Sequence, residues 1–529
     1  MALTISFHGA CGVVTGSCFE VRTPRGAVLI DCGMFQGTKT VKQLNYGPFP
    51  FTPSDITCVL LTHAHIDHCG LLPKLVAAGY AGPIVCTEQT ADLLSYVLPD
   101  SGYIQEMEVE QLNRRNRRRG KDMVEPIYTR ENAEACLRHV IARPHGKWID
   151  AAPGIRARYW NAGHILGSSS IELEVREKDD PKARPVSLLF SGDIGAGDKA
   201  FHEDPQSPQG IDYVFMEATY GDRLRPRRTL AQRRTLLRNE LRAALKAGGM
   251  ILIPAFAVER TQELLVDLDE LARAKEIPKI PTFVDSPLAT RATAVFAKHL
   301  YGSRSRGPHP FERAGLRYVQ TVEESKNLAR LRGGAIIMAG SGMCDAGRIR
   351  HHLKNNLSRS DATVLLVGYQ APGSLGRLLK DGASLVRIQG DEVKVAARIR
   401  TLDEYSGHAD QARLVKWLED RKPIAQNIFL VHGEDEARQT LATVLAESGI
   451  PPKRIHIPAL GETTRLTPAG AKTVRVRARV PEGSQTSDWH NTYAATVLAL
   501  RERLDALGSD QARERLLENV RRNLEKSAR

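Results

Sequence analysis

Cysteine is scarce: eight residues in 529, with no Cys-x-x-Cys pair, which excludes a disulfide scaffold and a cysteine-built zinc ribbon. No run approaches the ~20 apolar residues that a membrane-spanning helix needs. The first residues, Met1 to Gly12, lack the charged start, apolar stretch and small-residue cleavage site of a secretory signal. No membrane association is expected, and the cytoplasm is the expected setting. Acidic residues are also in deficit, 61 against 74 Lys and Arg, a formal charge of +13. That surplus admits a polyanionic partner without selecting one, since counterion release favours binding to phosphate but basic proteins are common. With 42% hydrophobic residues there is ample material for a core and no case for wholesale disorder.

The first two hundred residues alternate short apolar runs with Gly-rich turns. Strands are predicted at Gly26 to Asp31, Ile56 to Thr62, Pro83 to Cys86 and Val186 to Phe190, and helices at Leu71 to Ala78 and Thr90 to Leu98. From Asp212 onward apolar strands alternate with amphipathic helices (Thr261 to Ala272, Thr290 to His299, Gly347 to Leu357), the pattern of a parallel, doubly wound sheet. Beyond about Ile388 the texture returns to short strands, a helix at Gln411 to Glu419 and the run NIFLVH ending at His432. The last segment carries KTVRVRARV, which alternates like an exposed strand, then apolar residues at helical spacing through Trp489, Tyr493 and Val497 and again through Leu516 and Val520. RRNRRRGK, Arg114 to Lys121, is either a solvated surface or a nucleic-acid contact.

The strongest local signal is THAHIDHCG. His63, His65, Asp67 and His68 fall within six positions, directly after the apolar run VLL. Imidazole and carboxylate are the usual zinc ligands, and a turn that follows a strand delivers all four side chains into one space. One turn cannot complete two metal spheres. His164 in AGHILGS, Asp193 in FSGDIG and His432 in NIFLVH supply a bridging carboxylate and a terminal imidazole for each of two ions.

His63-x-His65-x-Asp67-His68, with Asp31 upstream and His164 and Asp193 downstream, resembles the metallo-β-lactamase fold. The rest of the chain resembles its β-CASP branch of nucleases. The matching segments run in order from GACGVVTGSC through LIDCGMFQG, AGHILGSS, MEATYG, PAFAVERTQELL, VDSPLAT, GSGMCDAGRIRHHL, GYQAPGSLGR and SGHAD to VHGE. Glu259 in AVERTQ stands where that family more often carries glycine. The resemblance implies an αββα metallo-β-lactamase sandwich over residues 1–210 and 391–461. A doubly wound β-CASP domain is inserted at 211–390, and residues 462–529 form a basic, partly helical extension outside the resemblance. It implies two zinc ions per chain, one on His63, His65 and His164, the other on Asp67, His68 and His432, with Asp193 bridging and Asp31 orienting a ligand histidine.

For the reaction, the resemblance implies that a metal-bridging hydroxide, aligned by Asp67, attacks the phosphorus. His408 in SGHAD serves the leaving 3′ oxygen, and Glu217 in MEATYG positions His408. Ser341 and the glycines of GSGMCDAGR, read as the start of a helix, together with Arg348 and Arg260, are expected to contact nucleic acid. Histidine at position 432 is the mark of the RNA-processing members, similar to bacterial homologues of the cleavage-and-polyadenylation endonuclease. The expected activity is a zinc-dependent endoribonuclease with a 5′–3′ exonuclease mode, acting on single-stranded RNA, with a homodimer as the expected assembly. The rivals are a DNA nuclease on the same fold, a small-molecule hydrolase and a non-catalytic RNA-binding scaffold.

Overall fold

The computed structural model describes residues 3–176, 184–302, 309–370, 373–467 and 469–481, then 496, 499–500, 503–504 and 506–527. The helical spacing through Trp489, Tyr493 and Val497 falls outside the described residues.

Two sheets pack face to face. One runs, in spatial order, Gly470–Val476, Glu462–Thr467, Thr4–Phe7, Phe19–Thr23, Gly26–Ile30, Cys58–Leu60, Ile84–Cys86 and Val140–Ala142. The other runs Ile455–His456, Ile428–Val431, Tyr213–Glu217, Val186–Phe190, Ser169–Val175, Ile155–Asn161 and Trp148–Ala152. Where a face meets solvent the sequence alternates: Ile155, Ala157 and Tyr159 are buried, while Arg156 between them is exposed. The space between the sheets is filled by aromatic rings, with Phe215 stacked on Phe190 at 4.3 Å and on Phe429 at 4.7 Å. Such offset contacts add to the burial of large apolar side chains.

The inserted domain is a six-stranded sheet with all pairs parallel, in the order Leu316–Tyr318, Thr282–Val284, Ile336–Ala339, Ile251–Pro254, Thr363–Leu366, Arg398–Thr401. Its inner strands are continuous apolar runs because helices cover both faces. Two expected boundaries shift. Strand Arg398–Thr401 pairs with Thr363–Leu366, so the inserted sheet continues past 390. Strands Glu462–Thr467 and Gly470–Val476 join the first sheet beside Thr4–Phe7, so residues just beyond 461 belong to the sandwich. The helix expected at Thr90 to Leu98 runs from Glu88 to Arg118 with Pro99 inside it, and it carries most of RRNRRRGK as an exposed surface.

The domains meet through buried charge. Lys199, from the loop after Asp193, reaches Glu263 of helix Arg260–Arg273 at 2.9 Å. Arg233 of helix Leu230–Ala247 contacts Glu263 at 3.3 Å and Asp267 at 2.9 Å. Tyr405 donates to Asp267 at 2.7 Å. Burial would raise the Glu263 carboxyl, but Lys199, Arg233 and Arg260 outweigh it and draw it from 4.5 down to about 2. A carboxyl lowered in the fold stabilises it above the unfolded value, and that contribution fades as pH falls from 4.5 towards 2. Glu263→Gln leaves buried cations without their counter-charge and is expected to lower stability at neutral pH by about 3–5 kcal/mol. Urea unfolding reads it, with a flatter acid limb than wild type; a loss below about 1 kcal/mol counts against this role.

Candidate metal centre

The centre is built where strands end. Thr62 and His63 follow strand Cys58–Leu60, Asp31 follows Gly26–Ile30, Asp193 follows Val186–Phe190, and His432 follows Ile428–Val431. The two strands Tyr213–Glu217 and Ile428–Val431 are parallel neighbours with Glu217 opposite Val431, which puts Glu217 and His432 side by side. Close approach needs glycine twice. A Cβ at Gly33 would sit 1.7 Å from the Asp67 carbonyl oxygen, and one at Gly407 would meet the His164 ring at 2.7 Å.

Two groups of donors result. In the first, His65 Nδ1 lies 3.1 Å from His63 Nε2 and 3.2 Å from His164 Nε2, and Asp193 Oδ2 is 3.4 Å from both His63 Nε2 and His164 Nε2. In the second, His68 Nε2 lies 3.2 Å from His432 Nε2 and 3.2 Å from Asp193 Oδ1. His432 Nε2 is in turn 3.6 Å from Asp67 Oδ2 and 3.7 Å from Asp193 Oδ1. The structure thus gathers all seven expected ligands, His63, His65, His164 and Asp193 in one group and Asp67, His68 and His432 in another, with Asp193 Oδ1 reaching towards His68 and His432 of the second. Four donors at about 2.0–2.1 Å around a tetrahedral zinc stand about 3.3–3.4 Å apart. The observed separations match that edge, and buried ring nitrogens facing one another need a cation more than a proton. His164 Nδ1 and Asp193 Oδ1 are buried with no hydrogen-bond partner.

Protonation agrees with ligation in the first donor set. Burial lowers His65 to about 3, with His63 adding to it, and burial likewise lowers His63 and His164, so these rings present lone pairs. Burial opposes ionisation of Asp67 and Asp193, yet the imidazoles of His432 and His68 beside them outweigh it and hold both below the carboxylate range. At His68 burial disfavours the charged ring, but Asp193 and Asp31 outweigh it and raise its pKa well above normal. The pocket favours positive charge there.

The supporting contacts fix which nitrogen faces inward. Asp31 Oδ2 takes the His68 Nδ1 side at 2.6 Å and accepts from the hydroxyls of Thr62 and Ser17, each at 3.0 Å. Asp31 sits at φ +61°, a turn its short acceptor side chain tolerates. Thr219, which the sequence reading passed over, links His432 Nδ1 (3.1 Å) to Glu217 Oε2 (2.5 Å). The only sequence signal for it is its place in MEATYG.

On the open side, His408 Nδ1 lies 3.0 Å from Glu217 Oε2. Glu217 is fully buried and also accepts the Ile194 amide at 2.5 Å. The His408 loop is stitched to the Asp193 loop by Ala409 N to Ile194 O (2.8 Å) and Ala196 N to Gly407 O (3.1 Å). Burial would lower His408, but Glu217 and Asp193 outweigh it and raise its pKa. Arg225 donates to the His408 carbonyl. Arg223 lies 5.3 Å from the Tyr220 ring centroid and 5.4 Å from that of Tyr369, at the lip beside His408.

The residues expected to contact nucleic acid are engaged or buried within the fold. Arg348 is spent on Asp285 at 2.7 Å and on the carbonyls of Val319 and Gln320. Arg260 is 7% exposed, behind the seam. The helix after GSGMCDAGR begins only at Ile349, and its first amide already donates to the Gly340 carbonyl at 3.0 Å. Ser341 accepts from the Ala346 amide within its own loop. None of these offers a free phosphate seat at a helix start.

A histidine–carboxylate centre of this kind, set in an αββα sandwich beside an inserted parallel α/β domain, defines a metal-dependent hydrolase. The metallo-β-lactamase superfamily model matches residues 11–121, the β-CASP domain model residues 261–379, and the Zn-dependent metallo-hydrolase RNA specificity domain model residues 392–458. The ribonuclease TTHA0252 of Thermus thermophilus is 36% identical over 83% of this chain and 95% of its own length. The transcription termination factor FttA of Methanocaldococcus jannaschii is 30% identical over 82% of this chain and 67% of its own. An RNase J-like protein from the same organism is 29% identical over 81% and 92%. The chain belongs to the β-CASP ribonuclease family of the metallo-β-lactamase superfamily. Among the described residues no helix is long and apolar enough to cross a membrane.

Proposed function

We propose that the protein is a two-zinc ribonuclease that cuts single-stranded RNA internally, with a 5′–3′ exonuclease mode, leaving 5′-phosphate and 3′-hydroxyl ends. The observation that carries this reading is the pair of donor sets, spaced like tetrahedral zinc edges and sharing the two oxygens of Asp193. His63, His65 and His164 would hold one ion and Asp67, His68 and His432 the other, with Asp193 placed between the two sets. Bound there, the ions supply a nucleophile from water and neutralise charge building on the phosphoryl oxygens.

The chain's own groups do the rest. Asp67 aligns the attacking water, whose proton passes to bulk solvent. As the new P–O bond forms and the bond to the 3′ oxygen breaks, His408 delivers a proton from Nε2 to that oxygen, because its Nδ1 is engaged by Glu217. Asp31 and Thr219 hold the imidazoles of His68 and His432 in register. Arg223, with its guanidinium over two tyrosine rings at the lip, offers a further contact to the RNA backbone.

The cytoplasm suits eight unpaired, buried cysteines. The test compares circular single-stranded RNA, 5′-labelled linear RNA and matched DNA with zinc present. Linearised circles with 5′-phosphate ends are expected; DNA cut as fast as RNA, or intact circles, overturns the reading. Sedimentation of the same preparation reads the homodimer.

A further inference from the structure

Glu259 does something that its place in the chain does not require. Its backbone takes φ +74° and ψ −61°, a region glycine enters freely and a residue with a Cβ enters at a cost. The side chain is nonetheless buried, 2% exposed, and fully used. Oε2 accepts the Leu166 amide at 3.2 Å, and Oε1 meets His202 Nε2 at 2.7 Å.

Both partners lie across the seam, each on a loop that carries a metal-centre residue. Leu166 is two positions beyond His164. In that loop the amides of His164 and Ile165 both donate to Ser168 Oγ, at 3.0 and 3.1 Å, and the Gly167 carbonyl accepts from Thr87 and Thr90. The Leu166 amide is the one that reaches the inserted domain. His202 ends a short segment that leaves Asp193 and docks residue by residue: Lys199 on Glu263, Phe201 on Phe296 with ring centroids 5.9 Å apart, and His202 on Glu259.

We propose that Glu259 is a positioning residue that holds the His164 loop, through the Leu166 amide, and the segment after Asp193, through His202, and so sets the spacing of the first donor set. The inference rests on the ligand roles proposed for His164 and Asp193. A carboxylate makes both contacts at once; glycine would relieve the backbone and make neither.

That opposition gives the test. Glu259→Gly frees the strained dihedral, so a purely structural role predicts equal or higher melting temperature with turnover unchanged. The positioning role predicts kcat lower by about 10–100-fold, the usual loss when support behind a metal ligand is removed, with KM for RNA within about twofold. Zinc affinity, read by chelator competition, falls with it, and amide exchange at Leu166 quickens in the folded protein. Glu259→Gln keeps an acceptor for Leu166 and a polar partner for His202, and is expected to restore turnover to within about threefold of wild type. Wild-type kcat and zinc affinity in Glu259→Gly overturn the inference alone. A wild-type protein that neither binds zinc nor cuts RNA overturns the reading beneath it, and the inference with it.

Discussion

Asp193→Asn is expected to lower RNA cleavage by at least about a thousandfold, the upper end of the cost of losing one group that stabilises transition-state charge. Each oxygen of Asp193 serves a different donor set: Oδ2 stands 3.4 Å from His63 and His164, and Oδ1 stands 3.2 Å from His68. An asparagine has the same size but turns one of those oxygens into a donor and removes the charge. The change therefore strikes both ions, whereas His65→Ala strikes one. Single-turnover cleavage of a short labelled RNA reads the rate, and elemental analysis of the purified variant reads the metal. Bound zinc should fall from two per chain to one or fewer. Cleavage within about tenfold of wild type at saturating zinc would defeat the bridging role.

His408→Ala is expected to slow cleavage by about 10²–10⁴-fold, the range for losing a general acid. Metal content should stay at the wild-type level, because all seven donors remain. The discriminating substrate carries sulfur in place of the leaving 3′ oxygen. A thiolate is a far weaker base than an alkoxide and departs without a proton, so the variant should cut that substrate nearly as fast as the wild type does. Glu217→Gln should show the same pattern more weakly, since it disturbs the ring at Nδ1 without removing it. An equal loss on the oxygen and sulfur substrates would mean that His408 does not protonate the leaving group.

Much of the centre was legible because its parts are local. THAHIDH follows an apolar strand, so one turn aims four ligand side chains into one space without help from the rest of the fold. Val186–Phe190 and Gln411–Glu419 were likewise readable from an apolar run and an amphipathic period. What failed depends on distant partners. Arg348 reads as a free cation until Asp285, 63 positions away, closes on it. KTVRVRARV reads as an exposed strand and is one up to Val476; only its pairing with Glu462–Thr467, and through it with Thr4–Phe7, stays hidden, because that joins opposite ends of the chain. The helix expected at Thr90 to Leu98 continues past Pro99, a residue that breaks most helices, and its charged half carries no apolar stripe to announce it. Thr219 has no signature beyond its place in MEATYG, since a threonine gains its meaning only from what lies opposite.

The neighbouring strands Tyr213–Glu217 and Ile428–Val431, with a whole domain threaded between them, also bear on how the protein is born. On the ribosome, His63, His65, His164 and Asp193 emerge early, so one set of donors is complete before the inserted domain is made. His432 follows on the order of ten to fifty seconds later at about 5–20 residues per second. His408 comes only shortly before it. Through most of its own translation the nascent chain therefore lacks both His432 and His408.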